Sequence, residues 1–277
     1  MTLSELYRET LQKNGLSPSE IISLINFVFK ISPQKFWAYK DSIKVGKILN
    51  IKFLYYIKKL KRGMPIAYII RQKEFYSEKF FIGKGVLIPR PETELLVEKT
   101  LEIAESTSKV LDIGSGSGVI GIMISKKSGA NVTLLENSKS AIKYLKKNAT
   151  KHLSSGKYKI LKRNLFPDKS ENFDIIVSNP PYISQKDYKN LDKNVKAFEP
   201  KESLLGGNDG YYFIERIIKN TPAYFKERGT LFLEIGYDQK DRVEELMLQN
   251  GFSKIIFFKD LSGIFRVARG VYENSSR

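Results

Sequence analysis

Apolar positions along this chain change their spacing near residue 72. In the first seventy residues they recur at helical spacing between start and stop signals, which predicts four short helices. Those signals are the Thr2-x-x-Glu5 capping box, Ser17-Pro18-Ser19-Glu20, Ser32-Pro33, and a last amphipathic run over 45–63 that ends at Gly63. We therefore expect a small helical bundle over residues 1–72.

Beyond residue 72 the pattern becomes one of short apolar runs separated by helical segments. Aromatic and β-branched residues around polar turns predict a β-hairpin connector over 73–88. In residues 89–277, strand-like runs alternate with helical patterns, which predicts an α/β fold with a mostly parallel sheet covered on both faces. The predicted strands are 109–113, 131–135, 158–162, 173–178, 230–235, 254–260 and 263–270.

Composition narrows the classes of function. Of the 277 residues, 42% are hydrophobic, enough for a substantial core, and there is no cysteine, which excludes disulfides, thiolate metal sites and cysteine nucleophiles. We interpret the one histidine, His152, as a surface residue and expect no metal site. The net charge of +17 indicates either an anionic partner or a lysine-rich background composition. No apolar run is long enough to cross a bilayer and the N-terminus does not resemble a signal peptide, so we expect a cytoplasmic protein.

A glycine-rich turn follows the first strand of the α/β region. The segment "VLDIGSGSGVIG" (110–121) contains Gly116-x-Gly118-x-x-Gly121, the spacing of a dinucleotide-binding turn. Glu136 ends the next strand, where a carboxylate can accept both hydroxyls of an adenosine ribose. These features favour an adenosine-containing cofactor and leave NAD and S-adenosylmethionine both open. A ligand-free turn and a solvated glutamate are the alternatives.

The tetrapeptide Asn179-Pro180-Pro181-Tyr182 decides between the two cofactors. It follows the apolar run "FDIIV", and its prolines stiffen the backbone where the chain leaves the sheet. An amide or aromatic amine is a poor nucleophile because its nitrogen lone pair is delocalised. The Asn179 carbonyl and a backbone carbonyl can accept its two N–H bonds and stabilise the charge that develops on the nitrogen, while the Tyr182 ring stacks on the flat group. This chemistry is N-methylation.

The chain resembles the HemK/PrmC family of glutamine methyltransferases, which modify peptide chain release factors. The resemblance spans nearly the whole sequence, and its segments are "GMPIAYI" (63–69), "LIPRPETELLVE" (87–98), "VLDIGSGSG" (110–118), "SNPPYI" (178–183), "FEPKESLLGGNDG" (198–210), "LFLEIGYDQ" (231–239) and "KDLSGIFR" (259–266). It implies a seven-stranded Rossmann-like S-adenosylmethionine-dependent methyltransferase domain and an N-terminal helical domain that binds the release factor. It also implies S-adenosylmethionine as the methyl donor, with S-adenosylhomocysteine as the product.

The resemblance also implies roles for individual residues. The cofactor would be held by Gly114, Ser115, Gly116, Ser117, Gly118, Glu136, Asn164, Leu165 and Asn179. The glutamine amide would be bound by Asn179, Pro180, Pro181 and Tyr182, of which Asn179, Pro180 and Tyr182 would be catalytic. Two positions depart from the family pattern: Arg71 stands where glycine is expected, and Asn164 where aspartate is common.

Three other functions remain to be compared with this one. An amino-methyltransferase acting on DNA adenine or ribosomal RNA guanine uses the same asparagine-proline geometry and fits the basic charge, but "PRPETE" and the helical front domain argue against it. A noncatalytic RNA- or ribosome-binding protein that kept the fold would leave the NPPY segment and glycine turn unexplained. A dehydrogenase lacks a hydride-transfer acid or base. We therefore expect a partner that is a class I release factor with a Gly-Gly-Gln loop, no stable nucleic acid or membrane partner, and a monomeric enzyme.

Overall fold

The computed structural model describes residues 1–168 and 171–274, and these residues divide into two compact units, Met1–Gln72 and Lys73–Arg277. The first unit is helical, with five helices that bury a core of their own made of residues such as Leu24, Phe36 and Phe53. The helices of this unit are α1 (Leu3–Asn14), α2 (Pro18–Phe29), α3 (Pro33–Tyr39), α4 (Lys47–Lys61) and α5 (Ile66–Ile70).

The caps that the sequence predicts for this unit are formed. The side chains of Thr2 and Ser17 each accept a hydrogen bond from the backbone amide of the glutamate three residues later. The carboxylates of these two glutamates accept in turn from the backbone amides of Thr2 and Ser17. Helix α5 was not predicted. It ends at Ile70 and is followed by the capping residue Arg71, whose φ of 58° lies in the left-handed region that glycine adopts most easily. Glycine is expected at this position because it adopts a left-handed backbone conformation without strain. In this chain an arginine occupies that conformation.

A two-stranded hairpin follows, formed by β1 (Gln72–Phe75) and β2 (Glu78–Phe81). Its turn residues Tyr76 and Ser77 have φ values of 53° and 61°, as in the type I′ turn that matches strand twist. The predicted connector over 73–88 is thus a hairpin only to Phe81. The segment beyond it continues without strand structure to the 3₁₀ helix Pro91–Thr93.

The second unit contains a seven-stranded sheet in the order β5-β4-β3-β6-β7-β9-β8. Its strands are β3 (Lys109–Ile113), β4 (Asn131–Glu136), β5 (Tyr158–Lys162), β6 (Ile175–Ser178), β7 (Arg228–Glu234), β8 (Phe252–Lys259) and β9 (Phe265–Glu273). Strand β9 lies between β7 and β8 and runs antiparallel to both, while the other paired strands of this sheet are parallel. The predicted fold class is confirmed, and the seven predicted strands lie within two or three residues of those observed.

Helices cover this sheet on both faces. They are α6 (Glu94–Leu101), α7 (Val119–Ser128), α8 (Lys139–His152), α9 (Gln185–Asn190), α10 (Lys193–Phe198), α11 (Tyr212–Asn220) and α12 (Lys240–Gln249). Residues that alternate along a strand enter two different cores: Val110 lies in one, while Leu111 and Ile113 lie in the other. Because both faces of the inner strands are buried, these strands read as nearly continuous apolar runs.

The order of the strands places a crevice at one edge of the sheet. From β3 the chain goes outward to β4 and β5, and then returns past β3 to β6 and β7. Helices on either side of this reversal lie on opposite faces, so the carboxyl ends of β3, β4 and β6 border an opening in which ligands of α/β proteins bind. The predicted glycine turn, Glu136 and Asn179 all lie at these strand ends.

The interpretation of His152 as a surface residue is wrong. Its side chain is only 3% exposed, its ring lies 4.6 Å from that of Phe80, and Nε2 lies 3.1 Å from the carbonyl oxygen of Lys79. Burial lowers the pKa of this imidazole below its usual value. The residue therefore packs against the hairpin strand β2.

Among residues 1–168 and 171–274 no cluster of three histidine, cysteine, aspartate or glutamate side chains could hold a metal ion.

Within the described ranges, no helix has the length and apolar character needed to cross a membrane.

Candidate active site

The turn after β3 is shaped by glycines in left-handed conformations. Gly114, Gly116 and Gly118 have φ values of 71°, 58° and 87°. The amides of Gly114 and Ser115 both donate to the carbonyl oxygen of Leu135 at 2.9 Å, which joins this turn to the end of β4. A Cβ atom at Gly114 would meet no atom within 4 Å, so the space in front of the turn is open.

Glu136 joins the glycine turn to the start of helix α8. One carboxylate oxygen accepts from the Gly116 amide at 2.8 Å, and the other accepts from the amides of Asn137 and Ser138 at 2.7 Å. A carboxylate has about four lone-pair positions, so one acceptor position remains for a ligand. The side chain is half-buried and forms part of a cavity wall.

Asp112 is a functional candidate that the sequence did not reveal. It is fully buried in β3, and its Oδ2 accepts from the amide of Gly121 at 3.0 Å while Oδ1 has no partner among the described residues. Burial raises the pKa of this carboxyl to about 7. A Cβ atom at Gly121 would lie 2.9 Å from Asp112 and 2.5 Å from Leu134, so the last glycine of the turn is needed for close packing of helix α7 on the strand.

Asn179 extends from the end of β6 and is oriented by a residue of the "PRPETE" segment. Its Nδ2 donates to Oγ1 of the buried Thr93 at 3.2 Å. Ser178, which precedes it, donates its hydroxyl to the carbonyl oxygen of Ile113 at 2.8 Å and so joins the ends of β6 and β3. Thr93 thus holds the Asn179 side chain, and Ser178 fixes the strand end from which that side chain extends.

Gly206 and Gly210 of the "LLGGNDG" segment allow the chain to pack directly on the NPPY backbone. A Cβ atom at Gly206 would lie 2.6 Å from the carbonyl oxygen of Pro181 and 2.9 Å from Cα of Tyr182. The side-chain Nε2 of Gln239 donates to the carbonyl oxygens of Tyr182 and Gly210, at 3.2 and 3.3 Å. The prolines are therefore fixed by neighbours as well as by their own rings.

We expect Gly206→Ala to lower the melting temperature by several degrees. The added methyl group meets backbone atoms that cannot rotate away, and overpacking of this kind costs about 1–3 kcal/mol. Gly46→Ala is the matched control, because a Cβ atom there would meet nothing within 4 Å and φ is −71°. Thermal melting of both variants is the measurement, and equal melting temperatures would contradict the packing argument.

The remaining residues of "PRPETE" hold neighbouring segments. Arg90 forms a 2.6 Å ion pair with the buried carboxylate of Glu199, which also accepts from the amide of Ile88. Glu94 accepts from the amide of Tyr76 in the hairpin turn at 2.8 Å. The sequence indicated that this segment is specific to the family but gave its residues no role. Arg90 and Glu199, for example, lie more than one hundred positions apart, so no local pattern reveals that they pair.

These elements enclose a cavity of about 390 Å³. Ten of the predicted site residues line it: Gly114, Ser115, Gly116, Ser117, Glu136, Asn164, Leu165, Asn179, Pro180 and Pro181. Arg90 and Thr93 also line it. Leu165 has a φ of 67°, a strained conformation for a non-glycine residue, and its side chain is buried in the wall.

Two predicted residues lie outside the wall of this cavity. Gly118 begins helix α7, where a Cβ atom would lie 2.5 Å from Leu145. Tyr182 is half-buried, and its hydroxyl donates to Oε1 of Glu234 at 3.4 Å. Burial, followed by the charge of Glu234, raises the pKa of the Tyr182 phenol above its usual range.

Comparison with known proteins identifies the family. Residues 91–197 match the family described as Methyltransferase small domain. A release factor glutamine methyltransferase from Thermodesulfovibrio yellowstonii is 36% identical over 267 residues, which is 94% of each chain. The chain belongs to the family of release factor glutamine methyltransferases. A second member, from Buchnera aphidicola of Acyrthosiphon pisum, is 34% identical over 278 residues, or 98% of each chain.

Solved structures support the fold assignment. A methyltransferase from Pyrococcus furiosus superposes with a TM-score of 0.55 over 79% of this chain and 99% of its own, at 17% identity. The expected membership of the release factor glutamine methyltransferases is thereby confirmed from sequence, and the methyltransferase fold from structure. The assignment of cofactor and substrate to individual residues stays a prediction.

Proposed function

We propose that this protein transfers a methyl group from S-adenosylmethionine to the side-chain amide nitrogen of the glutamine in the Gly-Gly-Gln motif of peptide chain release factors. The observation that carries the proposal is Asn179. In a chain of this family, its side chain is held at the end of a buried strand, in the wall of the cavity that the glycine turn opens.

The residues around the cavity fit S-adenosylmethionine. When bound, this cofactor supplies an electrophilic methyl group on a positively charged sulfur. A volume of about 390 Å³ lies in the range of small-molecule sites. Gly114 and Gly116 leave room for the methionine part to approach the backbone, Glu136 retains an acceptor for ribose hydroxyls, and Leu165 offers apolar surface to the adenine.

Glu136→Ala should weaken S-adenosylmethionine binding by roughly 1–3 kcal/mol, because the ribose hydroxyls lose a charged acceptor. Glu136→Gln is the matched variant: it retains one acceptor oxygen and should lose less. Calorimetry with each purified variant measures both affinities. Binding of unchanged affinity by the alanine variant would show that another residue holds the ribose.

Asn179 and Pro180 act on the substrate amide. The Asn179 Oδ1 and the Pro180 carbonyl oxygen accept the two N–H bonds of the glutamine side chain and aim its nitrogen into the cavity. As the lone pair localises on nitrogen, these acceptors stabilise the growing positive charge on the N–H groups. The prolines hold both acceptors in place before the substrate arrives, so little ordering is left to the reaction.

The role of Tyr182 follows from its anchoring as much as from its ring. Glu234 and the Gln239 bond to its carbonyl oxygen fix the residue at both ends. The ring then forms one side of the path by which the flat amide enters, excluding water from it.

The helical unit Met1–Gln72 is proposed to bind the release factor. Helix α4 exposes an apolar stripe at positions i, i+3 and i+7, formed by Ile48, Ile51 and Tyr55. This unit contains 13 basic and 4 acidic residues, which favours an acidic partner surface. Since release factors act on ribosomes, the proposed reaction takes place in the cytoplasm.

Mass spectrometry of the Gly-Gly-Gln peptide tests the proposal directly. A class I release factor incubated with this protein and S-adenosylmethionine should gain 14 Da, the mass of one methylene group, on the glutamine of that peptide. The matched substrate carries Gly-Gly-Asn and should gain nothing. Parallel incubations with duplex DNA and ribosomal RNA test the nucleic-acid alternative, and methylation there but not on the release factor would overturn the proposal.

A further inference from the structure

A buried carboxylate of the "LFLEIGYDQ" segment, for which the sequence indicated no role, lies beside the asparagine. Glu234 ends strand β7 and is 2% exposed. Strands β6 and β7 pair in parallel with Ser178 opposite Leu233, so Glu234 follows directly beside the position from which Asn179 extends. Its Oε2 has no hydrogen-bond partner among the described residues.

Two neighbours connect this carboxylate to the NPPY segment. The Tyr182 hydroxyl donates to Oε1 at 3.4 Å. The Thr93 side chain lies close enough to the carboxylate to lower its pKa, and the hydroxyl oxygen of Thr93 accepts from Nδ2 of Asn179 at 3.2 Å. Thr93 is therefore bonded to Asn179 and lies beside Glu234, where its one hydroxyl proton is free for the carboxylate, and Tyr182 bonds to the same carboxylate.

We infer that Glu234 is a positioning residue, which acts through Thr93 to hold the Asn179 side chain with its carbonyl oxygen toward the substrate. This inference rests on the proposed function and adds a residue to its machinery. Glu234 itself does not line the cavity and touches no reacting atom.

The direction of the hydrogen bonds carries the argument. An asparagine amide has nearly the same shape when its oxygen and nitrogen exchange places, so shape alone does not orient it. A threonine hydroxyl has one proton. An ionised carboxylate only accepts, so it takes that proton, and Thr93 can then only accept from Asn179. The atom of Asn179 facing Thr93 must be Nδ2, which leaves Oδ1 for the substrate N–H.

Protonation of Glu234 would release this constraint. A neutral carboxyl carries its own O–H, which can donate to Thr93 and free the threonine proton for Oδ1 of Asn179. Burial raises the pKa of Glu234 to about 7, and Glu92 raises it further, whereas Thr93, Tyr182 and the facing Arg266 of β9 lower it. Arg266 is itself paired with Asp260 at 3.0 Å. We therefore expect the transfer rate to fall as pH drops through about 7.

Stability distinguishes positioning from a purely structural role. Because the folded pKa is raised, the folded state binds the extra proton between the ordinary glutamate pKa of 4.5 and about 7. The stabilising contribution is complete below 4.5 and is lost as pH rises through 7. Above pH 7 the buried charge is a net cost to folding, so replacing it should not destabilise the protein.

The test compares Glu234→Gln, Thr93→Val and Thr93→Ser in single-turnover methylation of a release factor at saturating cofactor. A glutamine keeps the volume but offers both a donor and an acceptor, so the direction is no longer fixed. Because a displacement of about 1 Å costs roughly a hundredfold, we expect the Gln and Val variants to be ten- to a hundredfold slower at pH 8. Half-saturation by the release factor should change less than about threefold, since that contact is remote.

Three further readouts belong to this experiment. Thr93→Ser restores the hydroxyl and should recover the rate to within about threefold of wild type. The double variant Glu234→Gln/Thr93→Val should be no slower than its slower parent, since both act on one path. The rate of Glu234→Gln should lack the fall near pH 7, and its melting temperature at pH 8 should equal or exceed that of the wild type.

Several results would overturn the inference. They are a wild-type rate and pH profile for Glu234→Gln, no recovery by serine at position 93, multiplied losses in the double variant, or a loss of rate that merely follows a lowered melting temperature. A wild-type protein that binds S-adenosylmethionine but methylates no release factor would instead overturn the proposed function, and this inference with it.

Discussion

Replacement of Asn179 by alanine is expected to slow methyl transfer by about two to three orders of magnitude. An oriented acceptor or donor at a developing charge is worth about 3–4 kcal/mol, and Asn179 supplies one of two acceptors for the substrate amide. The effect should appear in the single-turnover rate at saturating cofactor. Thr93, which holds the side chain, would remain in place but lose its donor.

Matched measurements separate this effect from damage to the fold. Asn131→Ala is the control, because Asn131 is an exposed asparagine at the start of β4, the opposite edge of the same sheet. Its rate should equal that of the wild type. Calorimetric affinity for S-adenosylmethionine should change much less in Asn179→Ala than the rate does. Near-normal transfer by the alanine variant would remove Asn179 from the mechanism.

The sheet could be predicted from the sequence because its inner strands, such as β3 and β6, are buried on both faces. Lys109–Ile113 and Tyr158–Lys162 begin and end at the predicted residues. Strand β6 begins at Ile175, two residues after the predicted start, since Phe173 is buried but its amide bonds to Tyr224 outside the ladder. The short polar helices α9 and α10 bury no residue and gave no periodic signal.

The features that the sequence predicted wrongly or did not reveal depend on contacts between distant parts of the chain. His152 lies in a polar stretch, and it is buried because Phe80 of the hairpin packs on its ring. The position of Glu234 beside Asn179 is set by the register of β6 against β7, which no local pattern encodes. The glycine turn and Asn179 could be found because their chemistry needs particular residue types at fixed spacing. Roles that arise only from packing could not.

A protein truncated to begin at Gln72 should retain cofactor binding but methylate a full-length release factor at least a hundredfold less efficiently. Each unit has a hydrophobic core of its own residues, and residue 72 is where β1 begins. The residues predicted to bind the cofactor all lie beyond it. We therefore expect the truncated protein to melt cooperatively and to bind S-adenosylmethionine with the affinity of the intact chain.

The expected loss of methylation efficiency on the release factor follows from the small contact surface that a single glutamine side chain provides. Its amide makes two hydrogen bonds to Asn179 and Pro180 in the proposed site, too few atoms to select one loop among all exposed glutamines. Contacts far from the reacting amide can supply the missing binding free energy and raise the effective concentration of the nitrogen in the cavity. In this chain the exposed stripe of α4 and the basic residues of the first unit are available for that purpose.

A short Gly-Gly-Gln peptide provides the control substrate for this truncation. It carries the reacting amide but none of the distant surface, so the intact and truncated proteins should methylate it at equal, low rates. Rates with the full-length release factor are measured by transfer of a tritiated methyl group at saturating cofactor and at two salt concentrations. The advantage of the intact protein should shrink at the higher salt concentration, because exposed charges are screened there. If the folded, truncated protein modified the release factor at the intact rate, the first unit would have a role other than substrate recognition.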